Sequence, residues 1–117
     1  MLDANEFLGL SPEILRCAVL DEAGRVVSYA ESDRGREAKL PVNSLVTIKA
    51  LVIQGLSDAL PKELGTIRFT DVVSDKYRLL TMPLAGQTVM FALPLTVSPD
   101  PICDAAIKKF GTKPRLR

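Results

Sequence analysis

Residues 43–60 read NSLVTIKALVIQGLSDAL, and the helix this stretch predicts separates two strand-rich parts of the chain. At about 100° per residue, Leu45, Ile48, Val52, Leu56 and Ala59 form one apolar stripe, and Val42, Val46, Ala50, Ile53 and Leu60 form a second beside it. Only Thr47, Gln54 and Asp58 make a continuous polar line. A surface helix needs one apolar stripe to reach its core, so this one calls for two partners. Either the helix is enclosed within its own domain, or one stripe packs on the sheet and the other on a second copy of the chain. The second arrangement places Val46, Ala50 and Ile53 in a homodimer interface, with Lys49 snorkelling to its rim. Asn43 supplies an N-cap, and Pro61 ends the helix because the residue before a proline is pushed out of helical geometry.

Working back from the helix, the segment ESDRGREAKLP (residues 31–41) is polar and mixed in charge, the composition of a solvated loop. Before it, Ile14 to Leu20 alternates as a strand, with Leu15, Cys17 and Val19 on one side and Arg16, Ala18 and Leu20 on the other. Asp21-Glu22-Ala23-Gly24 is a turn leading into the strand Arg25 to Ala30, so the pair is a hairpin. The acidic lead-in, residues 1–13, has room for a short helical turn.

Working forward, three further strands are expected at Gly65 to Val73, Lys76 to Leu84 and Gln87 to Val97, joined by short links at Ser74-Asp75 and Ala85-Gly86. Pro83 and Pro94 cannot donate to a sheet ladder, which assigns them to edge positions or strand ends. Ser98-Pro-Asp-Pro101 then opens a helix to about Phe110. The order β-β-α-β-β-β-α gives an α+β fold, one five-stranded antiparallel sheet covered by helices. Residues 1–111 make a single domain, and 112–117 a basic tail.

The segment CAVLDEAGRVVS (residues 17–28), together with this order of elements, resembles the roadblock/LC7 and profilin-like group of small domains. In that group an apolar strand ends in an acid, and a glycine turn precedes a second apolar strand. The resemblance implies that the helix after the hairpin packs against its mate in a dimer, and it points by fold analogy to a small GTPase as partner. Residues 1–13 depart from the pattern, leaving little room for a full first helix. The chain is also similar to a family of short proteins from ammonia-oxidising archaea, in the hairpin, in Leu64-Gly65 with the strand after it, and in the apolar strand ending at Met82-Pro83-Leu84. That likeness implies a fold and no activity.

Composition narrows the chemistry. There is no histidine, which removes the commonest general base and the commonest neutral metal ligand. Cys17 and Cys103 are remote and follow no metal or redox spacing, and each lies among apolar neighbours where small thiols are usually buried. The acid pairs Asp21/Glu22 and Asp71/Asp75 sit at turns, where carboxylates bond the local backbone. Asp100 and Asp104 suit the start of the last helix. Gly35 and Gly55 build no phosphate cradle. No catalytic residue, metal or cofactor is expected, and the chain reads as a non-enzymatic protein.

The first residues carry acids where a secretory signal would carry a basic region, and no apolar run approaches the about 20 residues of a membrane span. A soluble cytoplasmic protein in a reduced state is the expectation. The net charge of +1 hides an asymmetry: before Lys108 there are ten basic residues against fourteen acidic. Lys108, Lys109, Lys113, Arg115 and Arg117 are therefore candidate nucleic-acid contacts, read against a plainer role for Lys108 and Lys109 in complementing a helix end. Three functions stay open: a homodimerising regulatory or scaffolding module that binds another cytosolic protein, a small-molecule sensor, and an accessory nucleic-acid binder using the basic C-terminus.

Overall fold

The alternating segments form the strands they predict, with ends trimmed by a few residues. The computed structural model describes residues 2–38, 65 and 68–111. The expected helix 43–60, with Val46, Lys49, Ala50 and Ile53, lies outside the described residues, as do Lys113, Arg115 and Arg117 of the tail. The strands are β1 (Arg16–Leu20), β2 (Val26–Glu31), β3 (Thr70–Val73), β4 (Tyr77–Leu84) and β5 (Gln87–Pro94). They pair antiparallel in the order β2-β1-β5-β4-β3. Helices α1 (Ala4–Leu8), α2 (Asp33–Ala38) and α3 (Pro99–Phe110) complete the described elements.

One face of the sheet carries Cys17, Val19, Leu80, Met82, Val89, Phe91 and Leu93, packed beneath Phe7 of α1 and Ile102, Cys103 and Ala106 of α3. Phe7 is fully buried; its ring meets Phe91 edge-on at 5.7 Å and Phe110 at 4.4 Å, spacings at which aromatic pairs attract beyond their buried area. On the opposite face Ala18, Leu20 and Met90 form a second buried cluster with Val26 against it. All five residues of β1 are buried, as a central strand covered on both faces requires.

Turn chemistry behaves as the sequence predicts. The Asp21 carboxylate accepts from the backbone N–H of Ala23 and of Arg25, both at 2.9 Å, and Gly24 takes φ +82°. The β4–β5 link closes on two residues, Ala85 at φ +50° and Gly86 at φ +81°, the positive-φ pair that matches strand twist in a tight hairpin. Pro94 ends β5. Pro83 lies beyond the last described pair of β3 with β4, Thr70 with Thr81, so among the described residues no β3 partner misses its donor.

Residues 31–41, expected as a solvated loop, begin differently: Glu31 ends β2 and Asp33–Ala38 is helical. The cause is a junction with the start of β1. Ser32 donates its N–H to the Leu15 carbonyl at 2.9 Å, and its Oγ accepts from the N–H of Gly35 at 3.0 Å, in the manner of a helix cap. A Cβ on Gly35 would lie 2.0 Å from the Leu15 carbonyl oxygen, so only glycine lets α2 sit this close. Arg16, read on the same side of its strand as Ala18 and Leu20, is 9 % exposed. Its Nη2 donates to the Gly35 carbonyl at 3.2 Å, and its Nε lies 3.3 Å from Glu31 Oε2. At the N-terminus the expected helical turn is α1, capped by Asp3, whose carboxylate accepts from the Asn5 N–H at 2.9 Å.

Candidate functional site

Strand order leaves β2 and β3 as the sheet edges, and the two are finished differently. Beside β2, the N–H of Ala4 in α1 donates to Ser28 Oγ at 2.9 Å, a bulge interrupts the β1 register between Val19 and Leu20, and α2 follows directly. β3 has only β4 on its inner side, and no described strand pairs with its outer side. Its Val72 and Val73 are 48 % and 58 % exposed. Adjacent exposed valines on an unpaired edge have the character of an interaction surface, since natural edges are usually blunted by charge, proline or cover.

That edge is held firmly in place. The Arg78 guanidinium grips Asp71 of β3, with Nη2 to Oδ2 at 2.6 Å and Nε to Oδ2 at 3.2 Å. Its Nη1 donates to the Leu95 and Val97 carbonyls at 3.1 and 3.2 Å. One side chain thus ties the edge strand to the loop before α3. Hydrogen bonding to the Asp71 carboxylate holds the Arg78 pKa above its ordinary value. Asp71, one of the acids read as a local turn carboxylate, is engaged across strands instead.

A shallow open groove of about 360 Å³ lies at one end of the sheet. It is lined by Leu15, Tyr77, Pro94 and Leu95, by Arg34 and Glu37 of α2 and by Lys76 of the β3–β4 turn.

No family model matches the chain, and no curated protein matches it in sequence. Solved structures match it in shape. A structure titled MglB with tetrameric arrangement aligns at a TM-score of 0.64 and 15 % identity, covering 90 % of this chain and 77 % of that one. A roadblock/LC7 domain from Streptomyces avermitilis aligns at 0.60 and 15 % identity, over 89 % of this chain and 87 % of the other. The chain has the roadblock/LC7 fold. The gliding protein MglB of Thermus thermophilus aligns similarly, at 0.61 and 14 % identity over 90 % and 78 % of the two chains.

Within this roadblock/LC7 fold, the candidate residues that can be placed do not converge on one site. Lys108 and Lys109 are exposed in the last turn of α3, where they complement the helix dipole. Phe110, the aromatic residue nearest the tail, is half-buried against Phe7. Lys109 Nζ stands 5.3 Å from the centroid of its ring, so the face a base would stack on is already engaged. Cys17 and Cys103 are free and buried. Burial, with Asp100 and Asp104 adding to it, pushes the Cys103 thiol up to about 12, and burial raises Cys17 further; neither is a reactive thiolate. Among the described residues no cluster of three acids or cysteines could hold a metal, and no helix is long and apolar enough to cross a membrane.

The β3 edge escaped sequence reasoning, which joined the strand to β4 by a hairpin, as observed, but did not place it at the end of the sheet.

Proposed function

We propose that this chain is a non-enzymatic regulatory or scaffolding module that homodimerises and, as a dimer, binds another cytosolic protein. The observation that carries this reading is the unpaired β3 edge with Val72 and Val73 exposed. A second copy pairing antiparallel along it, with Asp71 opposite Val72, brings Arg68 of one copy opposite Asp75 of the other, twice. Isologous contacts of this kind are self-complementary by construction. The predicted helix adds area, through Val46, Ala50 and Ile53 with Lys49 at the rim, and accounts for its second apolar stripe.

The matched structure titled as a tetrameric arrangement of MglB supports an assembling role by fold analogy. A small GTPase is the first partner class to test on the same ground. The basic C-terminus receives less support, because Phe110 is occupied and Lys108 and Lys109 end a helix.

Two substitutions separate the dimer from an internally buried helix. Ile53→Glu is expected to give a folded monomer, and Val52→Glu to unfold the domain by burying an unpaired charge. Circular dichroism and light scattering read both. Unfolding by both substitutions, in a wild-type protein that is itself monomeric, would contradict the proposal.

A further inference from the structure

The groove at the end of the sheet is built from segments that meet only in the folded chain. Leu15 precedes β1, Tyr77 opens β4, Pro94 closes β5, and Leu95 follows it, 37 % exposed. These apolar groups lie at the ends of three adjacent strands. Since β1 and β5 separate α2 from the β3–β4 turn, the charged groups of these two elements stand on opposite sides of the floor.

The charges differ in how they are satisfied. Arg34 Nη1 holds Glu13 Oε1 at 2.8 Å, so that cation is already neutralised. The Glu37 carboxylate and the Lys76 ammonium are exposed, and among the described residues neither side chain holds a partner. A free anion on one wall and a free cation on the other, across an apolar floor, form a dipolar site. The ligand that complements it carries an ammonium at one end, a carboxylate at the other and an apolar side chain between.

We infer that this groove binds a short zwitterion, a dipeptide with an apolar side chain, with its amino end at Glu37 and its carboxylate at Lys76. The groove, of about 360 Å³, has room for such a ligand. Floor contacts with Leu15, Tyr77, Pro94 and Leu95 supply apolar burial, and the two charges fix the direction. The inference is independent of dimerisation, since β3 takes no part in lining the groove.

Titration of the whole protein with the dipeptide Leu-Leu, followed by amide NMR, tests it. Saturable shifts are expected at Leu15, Glu37, Lys76, Tyr77 and Leu95. N-acetyl-Leu-Leu-amide, which keeps both side chains and lacks both charges, should bind at least about fivefold more weakly, the scale of one lost exposed ion pair. Lys76→Glu and Glu37→Lys should each weaken Leu-Leu binding by about fivefold without changing the thermal midpoint, because both side chains are exposed. No saturable shift up to about 10 mM, equal binding of the uncharged analogue, or indifference to both charge reversals would overturn it.

Discussion

The two edges of the sheet differ in what finishes them. β2 has α1 fastened to it through Ser28, a bulge in its register, and a helix following at once. β3 has two exposed valines and an unpaired outer side among the described residues. A sheet whose ends are only structural tends to blunt both of them. β2 also exposes Val27 and Tyr29, at 39 % and 36 %, so the contrast lies in what fastens each edge: α1 to β2 through Ser28, and β4 to β3 through the Arg78–Asp71 grip. Edges and faces also differ in chemistry: the buried cluster beneath α1 and α3 is apolar, while Arg16 ties β1, β2 and α2 together on the other face.

The comparison can be broken most severely at the guarded edge. Phe7→Ala removes the ring joining α1 to Phe91 and Phe110, and should cost about 3–5 kcal/mol, read by urea denaturation. Gly35→Ala forces a methyl group against the Leu15 carbonyl and should cost about 1–3 kcal/mol by loosening the α2 junction. At the open edge, Val73→Lys should change monomer stability by less than about 0.5 kcal/mol yet shift the mass toward monomer. Loss of folding instead would place Val73 in the core. Ala85→Gly relieves a positive φ that touches neither edge and should add about 1 kcal/mol with the oligomeric state unchanged.

Titration gives smaller effects. Backbone N–H groups of Arg25 and Ala23 lower the Asp21 pKa, so its contribution is present above the unfolded carboxylate value of about 3.9 and lost as pH falls through the lower folded value. Acid melts should show this loss, and Asp21→Asn should reduce it. The raised thiols act at the other end. In the unfolded chain they ionise near about 8.5 while the buried forms stay protonated, so stability should decline as pH rises beyond that value. Cys103→Ala should flatten its part of the decline.

What the sequence made legible was local. The CAVLDEAGRVVS hairpin needs only an acid that bonds its own backbone and a glycine that can reverse φ, and both are present in the structure. Ala85-Gly86 and the opening of α3 at Pro99 are equally short-range. The α2 segment was not legible, because its helix depends on the Leu15 carbonyl and Arg16, which lie well over a dozen positions earlier. Ser32 and Gly35 read as loop residues until that strand is placed beneath them. The same reason hid Arg78: its partners Asp71, Leu95 and Val97 come together only once β3, β4 and β5 are side by side. Candidate sites fared less well than the fold, because neither the exposure of Val72 and Val73 nor the meeting of Glu37 and Lys76 at one groove is a property of sequence neighbours.

The central claim is that two copies of this chain associate. Sedimentation equilibrium on the wild-type protein at micromolar concentration tests it most directly. The account predicts a mass twice the 12.7 kDa of the chain, with a shift toward the single-chain value for Val73→Lys. A wild-type protein that sediments as a single chain throughout that range would contradict it.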